Sequence, residues 1–285
     1  MPTLRTWLNR LPRPIIELLR LTRTAALWLL EPLDWIHRRV TAASDRGAAP
    51  PLWLKRHSGP IWAFDRAAGE IAATIAVLGL LRNDDRVLDI GCGCGSMALE
   101  FQRMLGESGR YIGFDVHKPS IAWCRARFAA DARFRFELAD LRTAWSGGRR
   151  STVAYRFPVA DGDADFVLAK SVFTHFLEPE SQHYLGEVRR VLRPGRAALL
   201  TAFLLQDGGA ARPRLRPPDF TFPYGGPQLW WRIKARREST VAYEEKYFVA
   251  LVEAAQLRVD KLIPGYWTGR WISPNAQDLV IVSRS

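Results

Sequence analysis

The residues best placed by type and spacing to do chemistry lie in Val87 to Phe101, VLDIGCGCGSMALEF, where three glycines and two cysteines interleave after an apolar run. Cys-x-Cys invites a metal reading, but zinc takes about four ligands, usually from pairs two to four residues apart. Cys92 and Cys94 are separated by one residue and have no second Cys or His pair nearby, so no metal is expected. The glycines point elsewhere. A glycine-rich turn between a strand end and a helix start lets a ligand approach the backbone and offers it free N–H groups. Two spacings compete: Gly91, Gly93 and Gly95 as GxGxG, or Gly93, Gly95 and Ala98 as a late GxGxxA of the dinucleotide-binding kind. Asp89 separates them. It lies two residues before the first glycine, where its charge opposes a pyrophosphate and favours an ammonium or sulfonium group. Asp115, 20 residues after Gly95, sits where an acid accepts hydrogen bonds from ribose hydroxyls under either reading.

His175, in SVFTHF, is the first candidate for a general base, because a near-neutral pKa suits proton removal. The competing reading is a histidine hydrogen-bonded beneath a loop.

These residues need elements to hold them. From Phe64 onward the pattern predicts helices over 66–81, 96–105, 118–130 and 180–192, interleaved with strands over 86–91, 110–116, 134–140, 165–172 and 196–205. A Pro-, Arg- and aromatic-rich stretch runs to about Thr240; a helix over 244–257 and strands over 258–265 and 278–284 then follow. Such alternation, with strands that are nearly continuously apolar, implies a parallel sheet covered by helices on both faces. The glycine loop then sits at a strand's carboxyl end, above a crevice.

Over roughly residues 60 to 285 the chain resembles the class I S-adenosylmethionine-dependent methyltransferases. VLDIGCGCG matches the first motif, YIGFDVHKPSIAWC the second strand and helix, FELADL the third strand, and FVLAKSVFTHFLEPE with YLGEVRRVLRPGRAALLTAF the blocks that follow. The resemblance implies an α/β, Rossmann-like, seven-stranded mixed sheet in the order 3-2-1-4-5-7-6, with the last strand antiparallel. It implies S-adenosylmethionine as cofactor and methyl transfer, here read as transfer to a hydroxyl of a small molecule, sugar or glycolipid. Carried over residue by residue, Gly91, Cys92, Gly93 and Gly95 would meet the methionine portion and Asp89 its amino group. Asp115 would hold the ribose, with Val116 against the adenine, and Asp140 would accept from the adenine amino group beside Leu141. Lys170 and Ser171 would line the mouth of the site, where Lys170 departs from the small or amide residues often found there. GYWTGRWISPNAQD, together with SVFTHF, is similar to a subgroup that often accompanies glycosyltransferases, so Arg270, Asp278 and the cap residue Trp231 become candidate substrate contacts. The alternatives are methylation of a nucleic acid or of a phospholipid amine, and a non-catalytic cofactor-binding protein.

Composition bounds the rest. With 285 residues, 48% of them hydrophobic and 25% charged, the chain suits a soluble globular protein, and three cysteines suit a reducing, cytoplasmic compartment better than a disulfide framework. The net charge of +12 favours anionic partners. Nucleic acid ranks below a small or lipid-linked acceptor, because the fourth strand lacks the Asn/Asp-Pro-Pro-aromatic signature that grips an extruded base. The expected division is a basic helical extension over 1–60 and a methyltransferase-like domain over 61–285, with a cap inserted at 206–243. Residues 1–60 hold ten Lys and Arg against four acids, a balance of +6. One use is an amphipathic helix on the inner, anionic face of a membrane through residues 1–45, anchored by Trp7, Trp28 and Trp35. The other is a layer packed on the domain or in a homodimer contact. No run approaches the ~20 apolar residues of a spanning helix, and the basic, Pro-interrupted start does not read as a signal peptide.

Overall fold

The computed structural model describes Ile15, residues 29–34, Ile36, and residues 49–58, 61, 64–143, 146–206, 221–268 and 273–284. Most of the 1–60 extension lies outside the described residues, as do Trp7, Trp28, Trp35 and Arg270.

Seven strands form the central sheet: β1 (Arg86–Ile90), β2 (Arg110–Asp115), β3 (Phe134–Leu138), β4 (Ala164–Ala169), β5 (Leu192–Ala202), β6 (Arg258–Ile263) and β7 (Asp278–Ser283). Their spatial order is β3-β2-β1-β4-β5-β7-β6, and β7 runs antiparallel to both β5 and β6. The order expected from the resemblance is the order found. Strand β4 is buried along its whole length, as a central strand covered on both faces must be. Alternate residues feed two cores. Val87, Phe166 and Leu168 pack under helices α1 (Phe64–Val77), α2 (Ser96–Met104) and α3 (Lys118–Arg127). Leu88, Ile90 and Val167 pack under α4 (Glu178–Val191) and α5 (Glu245–Ala254). Helix α1 earns its place by periodicity, with Ala68, Ile71, Ala72 and Ile75 all buried on one stripe. Proline in the first turn starts α3 and α4, where a missing N–H costs nothing.

Two features depart from the sequence reading. Residues 206–243, read only as an irregular insertion, contain an antiparallel hairpin of Leu229–Ile233 and Arg236–Glu244. Its second strand pairs in parallel with Leu204–Leu205, just past β5. Every residue of Leu229–Ile233 is half-buried, so the strand shows no alternation of apolar and polar positions by which to recognise it. A small sheet of Leu141–Thr143, Ser146–Gly147 and Arg150–Ser151 also lies between β3 and β4, in pieces too short to carry a period.

The hairpin is fastened to α4 by Tyr243. Its buried hydroxyl donates to the Phe176 carbonyl at 2.6 Å and receives a hydrogen bond from Ser181 at 2.6 Å. Tyr243→Phe leaves a carbonyl and a hydroxyl unsatisfied in the interior, and is expected to lower the unfolding free energy by about 1–2 kcal/mol in urea titrations.

Candidate functional site

The loop after β1 is built by its glycines. Gly91, Gly93 and Gly95 have φ of 70°, 54° and 80°, in the left-handed region that side chains disfavour. At Gly91 there is also no room, since a Cβ would lie 2.9 Å from Val172 Cγ2. The N–H groups of Gly91 and Cys92 donate to the Phe114 carbonyl at 2.9 and 3.0 Å, which ties the turn to β2. Cys92, Cys94 and Cys124 are buried free thiols. Burial pushes Cys92 and Cys124 well above the usual thiol range, so they are inert at neutral pH.

Beneath the loop lies Asp89, only 1% exposed. The Tyr111 hydroxyl donates to its Oδ2 at 2.6 Å, while Oδ1 is buried with no hydrogen-bond partner among the described residues. Gly113 makes this contact possible. It stands opposite Asp89 in the β1–β2 register, and a Cβ there would come within 2.8 Å of the Tyr111 hydroxyl. Burial pushes the Asp89 carboxyl up to about 7, with the Asp115 charge adding to the shift and Tyr111 and Lys170 opposing it.

Asp115 ends β2 and accepts two backbone hydrogen bonds, from Gly93 N–H to Oδ2 at 2.9 Å and from His117 N–H to Oδ1 at 2.7 Å. Burial nevertheless raises its pKa, and each oxygen keeps a lone pair for a further donor. Val116 packs partly buried against the core. The His117 ring stacks on His57 with centroids 3.9 Å apart, which lays the 49–58 segment over this end of the crevice. On the same side, Leu54 packs with Phe64 and Cys94.

Lys170 follows β4, whose Ala169 pairs with Ile90, so it stands beside the start of the glycine loop. Its ammonium donates to Ser96 Oγ, at the first residue of α2, at 3.2 Å. Burial lowers its pKa while Asp89 and Glu70 pull it back up. Ser171 is held at φ 59°, donating from its N–H to Thr201 Oγ1 at 2.7 Å and from its hydroxyl to Gln277 Oε1 at 3.1 Å. Asp89, the three glycines, Cys92, Asp115, Lys170 and Ser171 thus converge on one crevice at the strand carboxyl ends.

The remaining candidates are engaged with other groups. Asp140 pairs with the exposed Arg149 at 2.7 Å, and that guanidinium holds its carboxyl below the usual range. Leu141 is buried in the core. His175 lies with Nδ1 3.0 Å from the Glu238 carbonyl, so Nδ1 carries the proton of that bond, and burial lowers the pKa of the ring. Asp278 is fully buried and accepts from the Leu204 N–H, the Gly265 N–H and Trp267 Nε1 at 2.7–2.8 Å. Trp231 lies in the hairpin beneath the Arg237 guanidinium, 4.7 Å from its ring centroid. Sequence reasoning passed over Tyr111, Ser96 and Glu70. A signal for Tyr111 was present, since it shares a strand face with Gly113 and Asp115 by simple alternation.

A carboxyl whose pKa rises on folding contributes stability that is present below its unfolded value, near 4, and lost as pH climbs through about 7. Asp89→Asn is therefore expected to gain stability relative to the ligand-free parent between pH 4.5 and 8, as read by paired denaturant titrations at the two pH values.

A family model described as a methyltransferase domain matches residues 87–195. The chain is 31% identical over 160 residues to a 27-O-demethylrifamycin SV methyltransferase of Amycolatopsis mediterranei, covering 54% of this chain and 53% of that one. It is 34% identical over 119 residues to a 2-phytyl-1,4-naphtoquinone methyltransferase of Synechococcus elongatus, covering 41% and 45%. The matches thus span about half the length of these relatives. Among solved structures, Burkholderia thailandensis 1,6-didemethyltoxoflavin-N1-methyltransferase, determined with 1,6-didemethyltoxoflavin and S-adenosylhomocysteine, superposes with a TM-score of 0.53 at 18% identity, over 81% of this chain and 84% of that one. That likeness speaks for the fold. Residues 87–195 thus match a methyltransferase domain, and the strand order and glycine loop give the chain the fold of the class I S-adenosylmethionine-dependent methyltransferases.

Proposed function

We propose that this protein moves a methyl group from S-adenosylmethionine to a hydroxyl of a small molecule, sugar or glycolipid. The observation that carries the reading is the buried Asp89 with one oxygen unpartnered beneath three left-handed glycines. A buried carboxylate oxygen without a donor is costly, and the cofactor's ammonium group supplies that donor, whereas a pyrophosphate would add a like charge. When bound, S-adenosylmethionine brings a methyl group already activated by its sulfonium. In this reading the loop from Gly91 to Gly95 admits the methionine portion, Asp115 holds the ribose hydroxyls and Val116 flanks the adenine. Asp140 and Leu141 border the adenine end, with Asp140 exchanging Arg149 for the adenine amino group. What remains for the chain is alignment, exclusion of water and removal of the acceptor proton. The bond from His175 Nδ1 to the Glu238 carbonyl orients the ring against the hairpin, and in this reading Nε2 is the nitrogen that takes that proton.

The acceptor class rests on the cap and on one relative, whose name specifies an oxygen. Residues 206–240 carry seven Arg and Lys against three acids, beside Trp230 and Trp231. Aromatic faces suit sugars, and Arg suits phosphate or carboxylate. An anionic membrane surface is the partner proposed for residues 1–45: Leu29 is 80% exposed, Leu33 65% and Ile36 52%, in a segment of net positive charge.

In calorimetry the protein is expected to bind S-adenosylmethionine, and Asp115→Ala to raise Kd at least tenfold. Because Asp89 must ionise to meet an ammonium group, affinity should fall as pH drops below about 7. Binding of NADH in place of S-adenosylmethionine would sink the reading. Removing residues 1–45 should abolish sedimentation with anionic vesicles, and undiminished binding would exclude the membrane role. Mass spectrometry of lipid and polysaccharide fractions, with and without the protein, identifies the acceptor by the mass of one added CH₂.

A further inference from the structure

Among the described residues, Ser171 and Gln256 hold a left-handed backbone without being glycine, and Ser171 does so at φ 59° in the turn that follows β4. A residue with a side chain is strained there and persists only where its surroundings over-determine it. Around Ser171 those surroundings are two polar side chains from other strands. Its N–H donates to Oγ1 of Thr201, near the end of β5, at 2.7 Å, and its hydroxyl donates to Oε1 of Gln277, immediately before β7, at 3.1 Å. Thr201 is fully buried, and its own hydroxyl donates to the same Gln277 oxygen. With no other acceptor for the Thr201 proton among the described residues, the oxygen and not the nitrogen of the Gln277 amide faces these two hydroxyls. The Gln277 N–H donates in turn to Asn275 Oδ1 at 3.1 Å. The turn held in this way reaches the crevice on both sides of Ser171. Lys170 donates to Ser96 Oγ at 3.2 Å, and Val172 Cγ2 stands so close to the glycine loop that a Cβ at Gly91 would lie 2.9 Å from it.

We propose that Gln277 is a positioning residue for the cofactor loop: its amide oxygen, acting through Ser171 and Thr201, holds the turn after β4 in the strained conformation that seats Val172 against Gly91. This role rests on the cofactor assignment proposed above and adds to it two residues, Thr201 and Gln277, that lie outside the loop signature. Strands β4, β5 and β7, distant in the chain, are joined at this one oxygen. Without it the Ser171 and Thr201 hydroxyls lose their acceptor, and a buried donor left without one is costly. Ser171 then has less to hold it at φ 59°, and the turn relaxes toward ordinary backbone. Val172 follows Ser171 directly, so that relaxation withdraws the side chain that abuts Gly91. The glycine loop gains slack where the methionine portion is expected to lie, and affinity falls although no group that meets the cofactor has been removed.

The test is calorimetric binding of S-adenosylmethionine to the full chain at pH 8. Gln277→Met, close in length but without the amide oxygen, should raise Kd about five- to tenfold. Gln277→Glu keeps an acceptor for both hydroxyls and should restore Kd to within about twofold of wild type. In a Ser171→Gly background, where φ 59° carries no strain, Gln277→Met should change Kd less than about twofold. Ser273→Ala removes two hydrogen bonds within the same late loop, to Pro264 and Asn275, but none to the turn, and should leave Kd unchanged. If Gln277→Met binds as wild type does, or Gln277→Glu loses as much as Gln277→Met, the positioning role is refuted, while binding by wild type keeps the cofactor assignment standing. If wild type does not bind S-adenosylmethionine, the cofactor assignment fails and the role falls with it. Should Gln277→Met not fold, Thr201→Val and its rescue by Thr201→Ser decide on the same criteria.

Discussion

A carboxylate buried in the middle of a parallel sheet is the constraint around which the site is arranged. Asp89 sits on β1, flanked by β2 and β4, where water cannot solvate it. Desolvation there would favour the neutral acid, and three local decisions push back. Tyr111 turns its hydroxyl toward Oδ2. Gly113 vacates the space that this hydroxyl needs. Lys170 places a positive charge near enough to be felt. The balance leaves Asp89 poised near neutrality with one oxygen unpartnered, a state that a cationic ligand resolves and an apolar one does not. In the proposed function the glycine loop above it lets that ligand come close.

The same economy governs the outer layer. Asp278 is spent on three donors from two chain segments, Leu204 on one side and Gly265 and Trp267 on the other, so that the late loop is stapled to the end of β5. His175 and Tyr243 fasten the hairpin to the loop after β4 and to α4. These residues resemble reactive groups in the sequence because they are polar, distinctive and close to strand ends. Their hydrogen bonds join these layers.

The sheet was legible because its strands repeat one pattern, apolar throughout and interrupted by amphipathic helices, and because GCGCG marks where the chain must turn sharply. Asp89 and Asp115 were legible from their distance to those glycines. What stayed hidden depends on register and on distant packing. Tyr111 reaches Asp89 only because β1 and β2 align Asp89 with Gly113, and no spacing along the chain encodes that alignment. The hairpin at Leu229–Ile233 escaped because Arg and Trp, both able to be half-buried, erase the alternation that marks a strand.

The fastening of that hairpin has an entropic consequence. Its second strand continues the hydrogen-bonded ladder of the chain beyond β5 through Tyr243 and Glu244, and His175 fixes it from below. Loops that fold over a guest lose conformational freedom at the moment of binding and weaken the complex by that amount. Here the freedom is surrendered when the protein folds. In the proposed function an acceptor meeting this hairpin meets a surface whose ordering is already complete, so that binding it carries little of that entropic cost.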